Sequence, residues 1–542
     1  MALGTSTPPT RSAPAPLYAA VLALGLVLLA VGWLALGGNT GASPPGRYVE
    51  GVIGVPGRIN PLLAGLNQVD DDLAALVYSG LTRSSGDGTP VPDLAERWEV
   101  TPDGRTYTFH LRHNVFWHDG ERLDAADVAF TVGLLQAPDF AGSPALAAAW
   151  SRVEVIVADE RTILLRLPEP SAAFLTTASL GVLPEHALAG TRGPALLDAA
   201  FNREPIGTGP YRLVELDRRL ARLERNTSYH LGAPAIDAIE LRFYQDDDAL
   251  AAAIGGGHVD GALLPPALEA LVRPEAGAGG RIVTRTEAGY LALYINNQRA
   301  PLGEPALRRA LAAALDRDAL AAGGGRELRG LPGDGPIVPG SWAYSPGPSV
   351  RLATAAALLD GAGWPRNAFG RRERDGTELE LWLATNDDPQ RAALGEAVAA
   401  QLRAHGIRVT LEVLPAAELV ATRIEPRDYD LLLFAWEQGA DPDPYAAWHT
   451  SQIAPGGRNL AAYTDPASDR LIEAARVTVD VAERRDLYAQ LGARFAETAP
   501  SVVLLYPRRT YLVPAGLDGF GGGLLFGPES RFRDVHLWRL TR

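Results

Sequence analysis

The 542-residue chain is predicted to fold as a multi-lobed α/β protein preceded by one N-terminal transmembrane helix. Three observations carry this expectation. Strand-like runs, apolar at every second residue, are mixed with helix-like runs along the whole length. At ~100–200 residues per domain the chain is too long for one hydrophobic core, which suggests about three units. Near its start stand twenty uncharged, mostly apolar residues, Leu17 to Leu36.

Composition narrows the function classes. The chain is 47% apolar and 21% charged, a globular balance, and its 57 glycines and 42 prolines imply many loops. A formal net charge of −14 argues against nucleic acid as a partner, because a phosphate backbone demands clustered cations. All 50 basic residues are arginine, which a GC-rich genome explains more simply than a function does. With no cysteine, disulfides, thiolate metal sites and cysteine nucleophiles are excluded.

Residues 17–36 are long enough to cross a ~30 Å hydrocarbon core as a helix. The apolar part of a cleaved signal runs only ~7–15 residues, so an uncleaved anchor is expected. Arg11 precedes the segment and the next cation is Arg47, which leaves residues 1–16 as a short cytoplasmic tail. Residues 37–47, with GGNTGASPPG, read as a flexible linker. The bulk of the chain is then extracytoplasmic, at the cell surface or in the periplasm, held by a single-pass anchor.

A short β-like run ending at Asn60-Pro61 is followed by a helix over DDDLAALVYSGL, whose acids sit where the macrodipole favours them. RTYTFHLR places Tyr107, Phe109 and Leu111 on one face of a half-buried strand. RVEVIVADERTILLRL is a hairpin turning at Ala158-Asp159-Glu160. EAVAAQLRAHGIRVTLEVL is a helix, a C-terminal stop at Gly406 and a strand. DYDLLLFAW is a continuous apolar run, as in a strand buried on both faces.

The stretch FWHDGERLDAADVAFT (116–131) carries His118 close after His110 and His113 and raises the question of a metal site. His110 and His113 fall on opposite faces of a strand, so they cannot share one ion. Asp119-Gly120 is a turn, and Asp124 with Asp127 reads as the start of a helix. The expected role is architectural. Nothing supplies a nucleophile–base pair, a metal cluster or a phosphate cradle, so no cofactor and no enzymatic activity are expected.

The longer run PDLAERWEVTPDGRTYTFHLRHNVFWHDGERLDAADVAFT (92–131) resembles a segment of the bacterial extracytoplasmic solute-binding proteins of family 5, the oligopeptide, dipeptide and nickel receptors of ABC importers. It departs at Asn114, where glycine is usual, but asparagine also tolerates positive φ. PIGTGPYRL (205–213), YLALYINNQRAPLGEPALRRALAAALDRDAL (290–320) and YDLLLFAWEQGADPDPYAAW (429–448) resemble further family segments, in the family's order. The resemblance covers about residues 48–542. It implies a two-lobed periplasmic-binding-protein-like fold with a third, inserted domain. Lobe I would comprise 48–80, 203–285 and 500–542, the inserted domain 81–202 and lobe II 286–499, with crossings near Thr286 and Pro500.

The resemblance also implies a function: a monomeric substrate-binding component that traps a peptide or other small polar solute between its lobes and delivers it to an ABC permease and its ATPase. A membrane-tethered ligand-sensing ectodomain acting through a partner protein is the alternative. Ligand contacts are expected at Trp436 and Asp441, after the buried strand where an α/β sheet opens toward its crevice. Trp436 can equally close a core, and Asp441 can equally shape an Asp-Pro turn. Peptide receptors often carry another aspartate between these two, for the peptide's amino terminus; here Glu437 is the acid in that interval. Trp150, Asn67 and Tyr78 complete the candidates, while Arg423 and Arg427 are read as solvated loop residues. Full-length protein is expected to stay with membranes through a high-salt wash, and a chain beginning near Arg47 to be soluble; a mature amino terminus at about residues 38–44 would exclude the anchor.

Overall fold

The computed structural model describes residues 46–541 apart from 64, 66, 266–267, 270–271, 273–279, 324–329 and 348–353. The expected tail and anchor (1–36), and the linker as far as residue 45, lie outside the described residues. Among the described residues no helix is long and apolar enough to cross a membrane.

Strand β1 (Arg47–Ile53) opens the fold. Strands β2 (Ala95–Val100), β3 (Thr106–Leu111), β4 (Glu154–Asp159) and β5 (Thr162–Arg166) then form a separate antiparallel sheet in the order β2-β3-β5-β4. In β3 the apolar alternation holds: Tyr107, Phe109 and Leu111 are buried, and their neighbours face outward. Strands β6 (Tyr211–Leu216), β7 (Leu220–Arg225), β8 (Ala238–Tyr244), β9 (Gly261–Leu264) and β10 (Gly280–Thr286) join β1 in one half of a 12-stranded sheet. The other half contains β11 (Gly289–Ile295), β12 (Glu380–Asn386), β13 (Arg408–Leu414) and β14 (Leu431–Glu437). Strand β11 is buried on both faces. Leu291, Leu293 and Ile295 enter one apolar cluster, and Tyr290, Ala292 and Tyr294 enter another.

Strand β15 (Ser501–Pro514) belongs to both halves. Its residues 501–505 pair with β11, and its residues 508–514 pair with β10. Between these stretches, Leu505–Pro507 pair with the short strand Gly330–Pro332, so β15 changes partner within Leu505–Arg508. An apolar run reveals that it is a strand, but not where its partner changes.

The quoted histidine stretch is a joint between the separate sheet and the β1 half. Asp124 and Asp127 form a reciprocal capping box on the helix Ala125–Leu135. Trp117 Nε1 donates to Asp127 at 3.2 Å. The Gly207 N–H donates to His118 Nδ1 at 3.3 Å, so the proton sits on Nε2, which donates to the Gly209 carbonyl at 3.0 Å. The glycines of the GTGPY segment serve a close approach. A Cβ at Gly207 would lie 1.9 Å from the Val77 carbonyl oxygen, at the end of the helix Gln68–Val77.

The acids of that helix are also used more specifically than a macrodipole requires. Asp70 accepts the N–H groups of Gly57 and Arg58 at 2.7 and 2.8 Å. Asp72 takes a bidentate pair from Arg531, at 2.6 Å on each oxygen. Arg531 Nε reaches Glu50 at 2.6 Å, and the Tyr48 hydroxyl donates to the other Glu50 oxygen at 2.9 Å. All three charged groups are almost fully buried, so β1, the first helix and the C-terminal segment are tied by one guanidinium. Burial pushes the Glu50 carboxyl up, and Arg531 opposes that push.

Two outcomes follow from these contacts. Arg531→Ala leaves two buried carboxylates uncompensated and is expected to destabilise by ~3–5 kcal/mol, read as a loss of denaturant midpoint; an unchanged midpoint would refute the role given to Arg531. Burial lowers the His118 pKa from 6.5 to about 4, so between those values the unfolded chain binds a proton that the folded chain does not. Stability should therefore fall as pH drops from 6.5 toward 4. His118→Gln, which cannot charge, is expected to flatten that part of the stability–pH curve.

Candidate functional site

The candidate site is built on strand ends. Strands β12 and β14 run parallel, with Leu383 beside Leu431 and Ala384 beside Leu432. Their carboxyl ends open toward the crossing between halves, the usual place for a ligand crevice in an α/β sheet. At the end of β14, Trp436 lies opposite Tyr290 and Glu437 opposite Gly289. Trp436 is partly buried and packs on an aromatic cluster that includes Tyr290, Tyr294, Trp342 and Trp448. Its exposed part remains at the rim. Glu437 is exposed and has no partner among the described residues.

Asp441 lies on the same rim but is spoken for. Arg484 Nη1 and Nη2 donate to its two oxygens at 2.8 and 2.9 Å, and both side chains are nearly buried. The guanidinium also donates to the Tyr488 hydroxyl at 2.9 Å and lies 4.9 Å from the Trp342 ring. A carboxylate held in this way braces the turn and is not free to meet a ligand ammonium. The next acid, Asp443, pairs with Arg476 at 3.0 Å, and burial raises its carboxyl pKa.

The other candidates lie elsewhere. Trp150 is 3% exposed and sits edge-on to Phe174, with ring centroids 5.4 Å apart, in the core that the β2–β5 sheet shares with the β1 half. Asn67 caps the helix Gln68–Val77, and its Nδ2 donates to the Val55 carbonyl at 2.9 Å. Tyr78 is buried and donates to the Ile59 carbonyl at 3.1 Å. Arg423 forms a bidentate pair with Glu412, and Arg427 binds the carbonyls of Asn459, Gln452 and Gly457. The structure thus gathers Trp436, Glu437 and Asp441 on one rim and leaves Trp150, Asn67 and Tyr78 apart from it.

One residue at this rim escaped the sequence reading. Asn386 ends β12 and is 8% exposed, yet its Oδ1 accepts no hydrogen bond. The parallel register of β12 and β14 carries it level with Phe434, two residues before Trp436, so no local motif marks it. The segment 81–202, which carries the separate sheet, also touches the half that carries this rim. The Ala172 N–H donates to the Arg476 carbonyl at 2.8 Å, and the Trp342 N–H donates to the Asp87 carbonyl at 2.9 Å. Gly88, at φ +91°, passes so close to Ala440 that a Cβ would lie 2.3 Å from its carbonyl oxygen.

Comparisons with known proteins agree with this architecture. Residues 89–456 match the model for bacterial extracellular solute-binding proteins, family 5 middle. Protein XP55 of Streptomyces lividans is 30% identical, with 92% of this chain and 91% of that one covered. The oligopeptide-binding protein AppA of Bacillus subtilis is 27% identical, with 92% of both covered. The structure of that protein with a nonapeptide superposes with a TM-score of 0.66 over 92% of this chain and 99% of that one, at 26% identity. NikZ from Campylobacter jejuni, in complex with Ni(L-His), superposes with a TM-score of 0.69 over 92% and 100%, also at 26% identity. The fold is a mixed α/β fold of the periplasmic-binding-protein kind, and the chain belongs to the bacterial extracellular solute-binding proteins of family 5.

Proposed function

We propose that this protein captures a peptide or other small polar solute between two lobes and hands it to an ABC permease and its ATPase, acting as a monomer outside the cytoplasm with residues 17–36 as its anchor. The observation that carries the capture reading is the pair of strand crossings at Glu287–Ala288 and within Leu505–Arg508, beside a rim that carries Trp436 and Glu437. Two such connections allow one lobe to close on the other, and closure buries a ligand. Lobe I would comprise 48–80, 203–285 and the end of the chain from about Pro507, with 81–202 inserted and the remainder forming lobe II. With Asp441 engaged by Arg484, Glu437 is the acid left to meet a ligand ammonium, and Trp436 offers an apolar face.

Native mass spectrometry of the purified full chain identifies a co-purified solute, and titration calorimetry then measures its affinity. Trp436→Ala is expected to weaken binding about tenfold or more, in line with a lost aromatic contact of ~2 kcal/mol, with little change in the melting temperature of the free protein. Asp441→Ala should do the reverse. It strands a buried guanidinium and lowers stability by ~3–5 kcal/mol. A stable Trp436→Ala protein with unaltered affinity would remove Trp436 from the site.

A further inference from the structure

The short strands Thr82–Ser84 and Pro90–Pro92 form a hairpin whose tip meets the rim. The tip is a stiff turn. The Ser85 N–H donates to the Thr89 carbonyl at 2.9 Å, and the Gly88 N–H donates to the Ser85 carbonyl at 3.1 Å. The Asp87 carboxylate accepts the Ser85 hydroxyl at 2.6 Å and the Thr89 N–H at 2.9 Å. The Asp87 carbonyl then takes the Trp342 N–H, and Gly88 lies against the Ala440 carbonyl with no room for a side chain. Segment 81–202 meets the same half a second time, at Gly104 and Ala172. The Ala172 N–H reaches the Arg476 carbonyl, and a Cβ at Gly104 would lie 3.6 Å from the Val477 carbonyl oxygen and 3.7 Å from Val479 Cγ2.

The receiving side is braced at both points by one short run, Asp441-Pro442-Asp443. Asp441 holds Arg484, whose guanidinium lies on the Trp342 ring, and the Trp342 carbonyl accepts Arg485 Nε at 2.6 Å. One ion pair thus fixes both the N–H that meets Asp87 and the carbonyl that meets Gly88. Asp443 pairs with Arg476, the residue whose carbonyl meets Ala172. Both hydrogen bonds across the contacts join backbone groups, so their strength does not depend on any solute. Ala440 lies between Glu437 and Asp441, so a movement that widens the crevice at this rim has to part Gly88 from it. Two neutral hydrogen bonds with ordinary packing contribute modestly, which biases an open–closed equilibrium without locking it.

We propose that segment 81–202 is a latch. Its hairpin tip at Asp87–Gly88 and its turn at Ala172 hold the half that carries the rim in the closed position without solute, and Asp441 and Asp443 stiffen the catch. The latch sets how much of the free protein is already closed, and with it the apparent affinity for any solute. It rests on the two-lobe capture reading, but its test needs no solute. The chain has no cysteine, so Glu96→Cys and Asp486→Cys, both at exposed positions, take spin labels at those two sites alone. Double electron–electron resonance on the full chain in detergent then measures the distance between them, and one narrow distance is expected. Gly88→Ala puts a Cβ against the Ala440 carbonyl and is expected to add a second, longer distance in about half or more of the molecules. Val479→Asp, at a valine 37% exposed, should do the same from the second contact without disturbing the core. Gly120→Ala carries a similar backbone strain, at φ +99°, but its Cβ meets nothing within 4 Å, so it should keep the single distance. A single short distance in both Gly88→Ala and Val479→Asp, or an equal second distance in Gly120→Ala, would overturn the latch. The expected distances from a protein that carries no co-purified solute would support the latch and count against capture alone.

Discussion

The fourteen-residue strand β15 donates its ladder hydrogen bonds to both halves of the molecule, and what can move depends on that sharing. Residues 501–505 are committed to β11 and 508–514 to β10, and both stretches are largely buried. Each ladder bond contributes only ~0.5–1.5 kcal/mol net, but leaving its buried partners unsatisfied costs more, so neither stretch can slip in register. Between the two stretches, Leu505, Tyr506 and Pro507 pair with the short strand Gly330–Pro332, and the Glu287 N–H donates to the Pro507 carbonyl at 2.9 Å. Tyr506, in the middle of that pairing, is anchored by its hydroxyl, which donates to Asp334 at 2.6 Å and accepts the N–H groups of Asp334 and Gly335 at 3.2 and 3.1 Å. The strand is thus paired along its whole length, and it is the element through which the two halves are joined.

Deep charges in this protein are consumed by architecture. Arg531 is divided between Asp72 and Glu50, Arg484 is held by Asp441 and Tyr488, and Arg308 caps the carbonyls of Leu302, Gly303, Thr498 and Ala499. Such groups are expensive to bury alone and are tolerated because every nitrogen of these guanidiniums has an acceptor. Two polar groups without a hydrogen-bond partner among the described residues, the Glu437 carboxylate and the Asn386 Oδ1, lie at the rim of one half. Recognition is thus available where desolvation is still incomplete, which is where a solute arriving from water has to be met.

The amino-acid order alone determined the element types, because they depend on local periodicity and local capping. The alternation of Tyr107, Phe109 and Leu111, the apolar run Leu431–Leu433 and the Asp124–Asp127 capping box are each contained within a few residues. The family was legible too, since its motifs recur in order along the chain. What a charged or aromatic side chain does was not legible, because its partner lies far away in sequence. Asp72 and Arg531 are 459 positions apart, and Asp441 and Arg484 are 43 apart. Nothing near Asp441 announces that its oxygens are already engaged, and nothing near Trp150 distinguishes a core ring from a ligand-facing one. Only the tertiary structure decided these, along with the change of partner along β15, because hydrogen bonding and burial are settled by what packs against a residue and not by its neighbours in the chain.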